Sequence, residues 1–152
     1  QVFNQVGSDC ADLENHNLLK NSFEVVQQLI NKQRISAGHD RSDGGLITTV
    51  LEMAFSGNCG LSLDISSSAS VINYFFSEEL GVVFEIKESD VSKINTLLEN
   101  KKIPFTVLGK TSRTPSIDII FNGTHVLSEN MLNLRQTWEE TSFQLEKIQM
   151  NP

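Results

Sequence analysis

The 152 residues carry 12 Lys and Arg against 19 Asp and Glu, a formal net charge of −7 at pH 7. That balance argues against the basic face by which nucleic acid is bound, and no apolar run is long enough to cross a membrane or act as a secretory signal. One domain with a core that needs no cross-links is expected at this length. The two cysteines, Cys10 and Cys59, make neither a disulfide framework nor a zinc motif, so a reduced, cytoplasmic protein is the expectation.

Leu19, Phe23, Val26 and Ile30 recur at helical spacing and predict an amphipathic helix over about residues 17–32. "RISAG" follows as a short run expected to be a buried strand. Beyond the glycines, Leu46, Val50 and Met53 form one row and Ile47, Leu51 and Ala54 the next, a broad helical face ended by "SGN". Leu61, Leu63 and Ile65 alternate with Ser62 and Asp64 as a strand does. Val71, Ile72, Phe75 and Phe76 match a helix broken by Gly81, and "VVFEI" reads as a strand.

Val91, Ile94, Leu97 and Leu98 predict a fourth helix capped by Ser89 or Asp90. Pro104 stops it, and "FTVLG" is expected to be a strand. "SIDIIFNGTHVL" predicts a hairpin turning at Asn122-Gly123. Leu134, Trp138, Leu145 and Ile148 mark one side of a last helix. Alternation followed by a meander gives the fold class: α/β (α+β), layered, with a mixed sheet covered by helices.

The densest chemistry lies in "GHDRSDGGL", residues 38–46, between a strand and a helix. Ligands of open α/β sheets bind beyond the carboxyl ends of strands. Gly44 and Gly45 strip side chains from the helix's first turn, where free N–H groups and the helix dipole favour an anion. Ser42 offers a hydroxyl to a phosphate. Asp40 is a hard oxygen ligand of the kind Mg²⁺ takes beside phosphates and water. The competing reading is a plain turn in which Ser42 or Asp43 caps the helix. No spacing here matches a Walker loop or a dinucleotide fingerprint, and the residues alone leave both readings open.

"SAGHDRSDGGL", "EMAFSGNCGL", "FSEELGVVFEI" and "WEETSFQLEKIQ" together resemble, in order, the second synthetase half of the phosphoribosylformylglycinamidine (FGAM) synthase family. "QVFNQVG" at the start fits too. The resemblance implies the C-terminal α/β subdomain of the aminoimidazole ribonucleotide synthetase superfamily, with residues 1–130 as that subdomain. Residues 131–152 would be a C-terminal helix and the start of a linker to a glutaminase domain. It implies an ATP-dependent amidoligase of purine synthesis, in which ATP activates an amide oxygen and ammonia from glutamine displaces the phosphate. Asp40 would bind Mg²⁺, and Ser42, Gly44 and Gly45 would contact ATP or ADP. His39 and Arg41 receive no role.

This half is the one whose nucleotide is implied to be structural rather than reacting. The implied partners are the remaining domains of the same polypeptide, the preceding synthetase subdomains and the following glutaminase, together with the nucleotide; nucleic acid and membrane are not among them. A fragment of a longer protein, inactive alone, is expected. The alternative is a stand-alone nucleotide-binding or assembly module of the same fold. Elsewhere the bland readings prevail. Cys59 is expected to be a buried structural thiol, and Cys10 has no partner at useful spacing. His16 is expected on a surface loop and His125 on a hairpin strand. Glu78 and Glu79 read as a solvated helix end, Glu139 and Glu140 as contacts to a neighbouring domain or water, and Trp138 as a packing anchor.

Overall fold

A computed structural model describes residues 13–150; the readings of "QVFNQVG" and Cys10 lie outside them. The order is α1 (His16–Asn31), β1 (Ile35–Asp40), α2 (Gly45–Gly57), β2 (Gly60–Ile65), α3 (Val71–Phe76) and β3 (Val82–Ile86). A 3₁₀ turn (Glu88–Asp90) then leads to α4 (Val91–Asn100), β4 (Gly109–Ser112), β5 (Ser116–Phe121), β6 (Thr124–Asn130) and α5 (Met131–Met150). The expected α/β class with a mixed sheet is what is found. The chain forms two compact units, residues 13–49 with 75–106 and residues 50–74 with 107–150.

In the first unit β1 and β3 form a two-stranded antiparallel ribbon. A ribbon of two strands is marginal alone and needs a helix against it. Val25 and Leu29 of α1 supply that support, packing with Ile94, Leu98 and Ile103 and with the partly buried Ile35, Phe84 and Ile86. Asn15 caps α1 by accepting from the Leu18 N–H at 3.0 Å. The buried residues of α1 are therefore Val25 and Leu29, with Leu18 partly buried beside them; of the expected row, Leu19, Phe23 and Ile30 stay exposed and only Val26 is half-buried. This helix is apolar on two faces, so periodicity reveals the helix without choosing the face. The β1 strand also departs from expectation. It runs on through His39 to Asp40 and is largely exposed, because Ser36, Ala37 and Gly38 have no bulk to bury.

Asp90 stands at the predicted cap of α4 but makes no side-chain cap bond. Its buried carboxylate instead accepts from Arg34 Nη1 at 3.1 and 3.0 Å, joining the end of the α1–β1 turn to the start of α4. Removing the guanidinium would leave a buried acceptor charge without its donor. Arg34→Ala is expected to cost roughly 2–3 kcal/mol in chemical denaturation, the half-exposed arginine keeping it below the full cost of a buried pair. A change within 0.5 kcal/mol, on the order seen for surface substitutions, would show the pair to be incidental.

In the second unit the sheet order is β4-β2-β5-β6, with β2 and β5 parallel and the other pairs antiparallel. Leu61, Leu63, Ile65, Ile117, Ile119 and Phe121 bury one face, while Ser62 and Asp64 stay exposed. Val50, Ala54, Phe55 and Met131 are buried helical residues of this unit. The rings of Phe55 and Trp138 lie 5.8 Å apart, but Trp138 is 53% exposed, so it makes one ring contact rather than the buried anchor expected. Past Glu139 every residue of α5 is exposed, including Phe143, Leu145 and Ile148.

The hairpin turns as predicted, with φ of 50° at Asn122 and 76° at Gly123, the pair of positive values a type I′ turn requires. On its strands Asp118 accepts from the Ser116 and Ser128 hydroxyls, and these bonds hold its carboxyl below the ordinary aspartate range, with His125 adding to the shift. "FTVLG" is not the strand. The ladder begins only at Gly109, whose extended backbone lies so close to β2 that a Cβ there would meet the Ser62 carbonyl oxygen at 2.0 Å. The strand's sequence, "GKTS", is polar because this edge is exposed throughout, so apolar patterning misses it.

Candidate functional site

The motif joins β1 to α2 within the first unit. β1 delivers His39 and Asp40 at its carboxyl end, the position from which ligands of α/β folds are held. The Asp40 side chain is 76% exposed, so its oxygens face outward rather than into the core. His39 Nδ1 lies 2.6 Å from the Asp40 carbonyl and 3.3 Å from its Oδ1. A carbonyl only accepts, so this nitrogen carries the proton. Below the motif, the buried Thr49 hydroxyl reaches the carbonyls of Asp40 at 3.2 Å and Gly45 at 3.0 Å, tying the end of the strand to the start of the helix.

Ser42 and Asp43 are exposed, and the Ser42 carbonyl accepts from the Gly45 N–H at 2.9 Å. Gly44 and Gly45 both have positive φ, 81° and 71°, a conformation costly for any residue with a Cβ. The close approach expected at the glycines exists, but the protein's own backbone makes it at Gly45: a Cβ there would lie 2.7 Å from the Phe75 carbonyl oxygen and 2.9 Å from the Phe76 Cα.

Two residues to which sequence reasoning gave no site role shape the motif. Glu78, read as part of a solvated helix end, accepts from the Gly44 N–H at 2.9 Å with Oε1. Arg41 donates its N–H to the Gly81 carbonyl and its Nε to that of Ser77, both at 2.9 Å. The signal for Glu78 was in "FSEELG", whose charge and glycine mark a loop without saying what it faces. Among the described residues no group of three or more His, Cys, Asp or Glu side chains could hold a metal ion, and Cys59 is half-buried rather than buried. His16 opens α1 instead of lying on a loop, and His125 sits on β6 as expected. Among the described residues no helix is long and apolar enough to cross a membrane.

The sequence pattern of the family described as AIR synthase related protein, C-terminal domain, matches residues 2–122. The chain belongs to that family. This AIR synthase related domain is 46% identical over 150 residues to the Arabidopsis thaliana protein named "Probable phosphoribosylformylglycinamidine synthase, chloroplastic/mitochondrial", covering 98% of the chain and 11% of the relative. It is 38% identical over 156 residues to the phosphoribosylformylglycinamidine synthase of Homo sapiens, covering 100% of the chain and 12% of that protein. The domain thus spans about a tenth of the length of these relatives. Its fold is shared with Thermotoga maritima PurL complexed with ATP, at a TM-score of 0.69 and 13% identity over 82% of this chain and 23% of that one.

Proposed function

We propose that this chain is the C-terminal subdomain of the second synthetase half of a long phosphoribosylformylglycinamidine synthase, and that it forms one side of a Mg-nucleotide site. Identity of 38–46% along nearly the whole chain carries the reading. It runs on past residue 122, where the family pattern stops, into α5. The division at residues 130 and 131, with α5 leading toward a glutaminase domain, belongs to the same proposal. So do a cytoplasmic setting and the remaining domains of the polypeptide as partners. The exposed apolar residues of α1 and α5 suit such neighbours.

The residues present fit a magnesium nucleotide. Mg²⁺ keeps several waters and takes one or two carboxylates plus phosphates; Asp40, outward-facing at a strand end, suits one such ligand. The ion supplies charge neutralisation among the phosphates of ATP or ADP. Ser42 would donate its hydroxyl to a phosphate, and the Gly44 N–H, bonded to Glu78 in this structure, would be the backbone donor beside it; Gly45, covered by the Phe75–Phe76 backbone, would shape the turn rather than touch the ligand. The other ligands would come from the preceding subdomains. The overall reaction would turn formylglycinamide ribonucleotide, glutamine and ATP into the amidine, glutamate, ADP and phosphate, and the 152 residues alone would not perform it. The test is the full-length protein: ADP release is expected to require both formylglycinamide ribonucleotide and an ammonia source. ADP release indifferent to both would end the proposal.

A further inference from the structure

We propose that Arg41 is a positioning residue that straps residues 77–81 across the motif, so that the Glu78 carboxylate holds the Gly44 N–H until a nucleotide phosphate displaces it. The inference rests on the nucleotide reading of the motif and concerns how that site is regulated. A helix start is ordinarily capped by the side chain of the residue just before it; for α2 that residue is Gly44, which has none. Here the acceptor on Gly44 comes from 34 residues away and bears a full charge. Its placement depends on a small scaffold. The Arg41 N–H and Nε bind Gly81 and Ser77, the two ends of the segment that carries Glu78. The Arg41 stem also runs along Gly81, where a Cβ would lie 3.6 Å from Arg41 Cβ and Cδ. On the other side, the Phe75–Phe76 backbone is seated against Gly45, fixing the point from which the segment departs.

A carboxylate and a phosphate oxygen are both anionic acceptors suited to an N–H at a helix start. One N–H in that geometry serves one of them well, and the two negative groups repel. Glu78 is exposed, so it can swing into water when a phosphate arrives. The strap then keeps the positive end of α2 satisfied when the site is empty and lowers nucleotide affinity by the cost of displacing an anion.

The experiment is titration of the full-length protein, first freed of bound nucleotide, with Mg-ATP, comparing wild type, Glu78→Gln, Arg41→Ala and the double variant. Glutamine keeps the acceptor and removes the charge. Glu78→Gln is expected to tighten binding about fivefold, the size of a typical charge effect at a helix end. Arg41→Ala, which frees the same carboxylate, is expected to shift affinity in the same direction. The double variant should gain no more than the larger single change, since both act through one contact. Unchanged or weaker binding by Glu78→Gln, with thermal stability equal to wild type, overturns the proposal. So does a loss of affinity on Arg41→Ala that persists undiminished in the Glu78→Gln background. Should Glu78→Gln not fold, Arg41→Ala alone decides by the direction of its shift. Absence of any Mg-ATP binding by the wild type would instead strike the nucleotide reading, and this inference with it.

Discussion

Gly45→Ala is expected to destabilise the chain by about 3 kcal/mol or more. Two costs add. Holding a non-glycine residue at a φ of 71° costs roughly 1–2 kcal/mol. The new Cβ would also sit 2.7 Å from the Phe75 carbonyl oxygen and equally near the Phe76 carbonyl carbon. Backbone cannot step aside as a long side chain does, so overpacking adds about 1–3 kcal/mol. Gly123 provides the control. Its φ is similar, 76°, but nothing lies within 4 Å of the added Cβ, so Gly123→Ala is expected to cost about 1 kcal/mol. Denaturant midpoints of the two variants separate the conformational term from the steric one. Equal losses would mean that the Phe75–Phe76 backbone gives way readily and that Gly45 is there for its dihedral alone.

Asp40→Asn in the full-length protein is expected to weaken Mg-nucleotide binding by roughly 10–100-fold, the range seen when the support of a metal site is damaged. The amide is nearly isosteric but neutral, and a hard divalent cation prefers the carboxylate. Because the side chain is 76% exposed, stability without nucleotide should change by no more than about 0.5 kcal/mol. With nucleotide, the variant should melt well below wild type, since a ligand bound only to the folded state stabilises in proportion to its occupancy. The gap should close when nucleotide is removed. An unchanged nucleotide content in the purified variant would sink the metal role of Asp40. Equal losses of stability with and without nucleotide would assign Asp40 to the fold instead.

Much was written in local chemistry. The helices at residues 16–31 and 45–57, the strand "VVFEI" and the Asn122-Gly123 turn follow from side-chain spacing and from dihedrals that only certain residues adopt. The motif at residues 38–46 stood out because charge and glycine rarely crowd one strand–helix junction, and the family was legible in the order of four stretches. What local pattern could not decide was partnership. Leu19 and Val25 have equal claim to a helix face until the ribbon and α4 take the side bearing Val25. The β4 strand is polar, so only its ladder with β2 defines it. Glu78 and Arg41 acquire their roles from contacts across 34 and 36 residues of sequence. Hydrogen bonds and packing over such separations depend on where the backbone is carried in space, and no spacing along the chain encodes that directly.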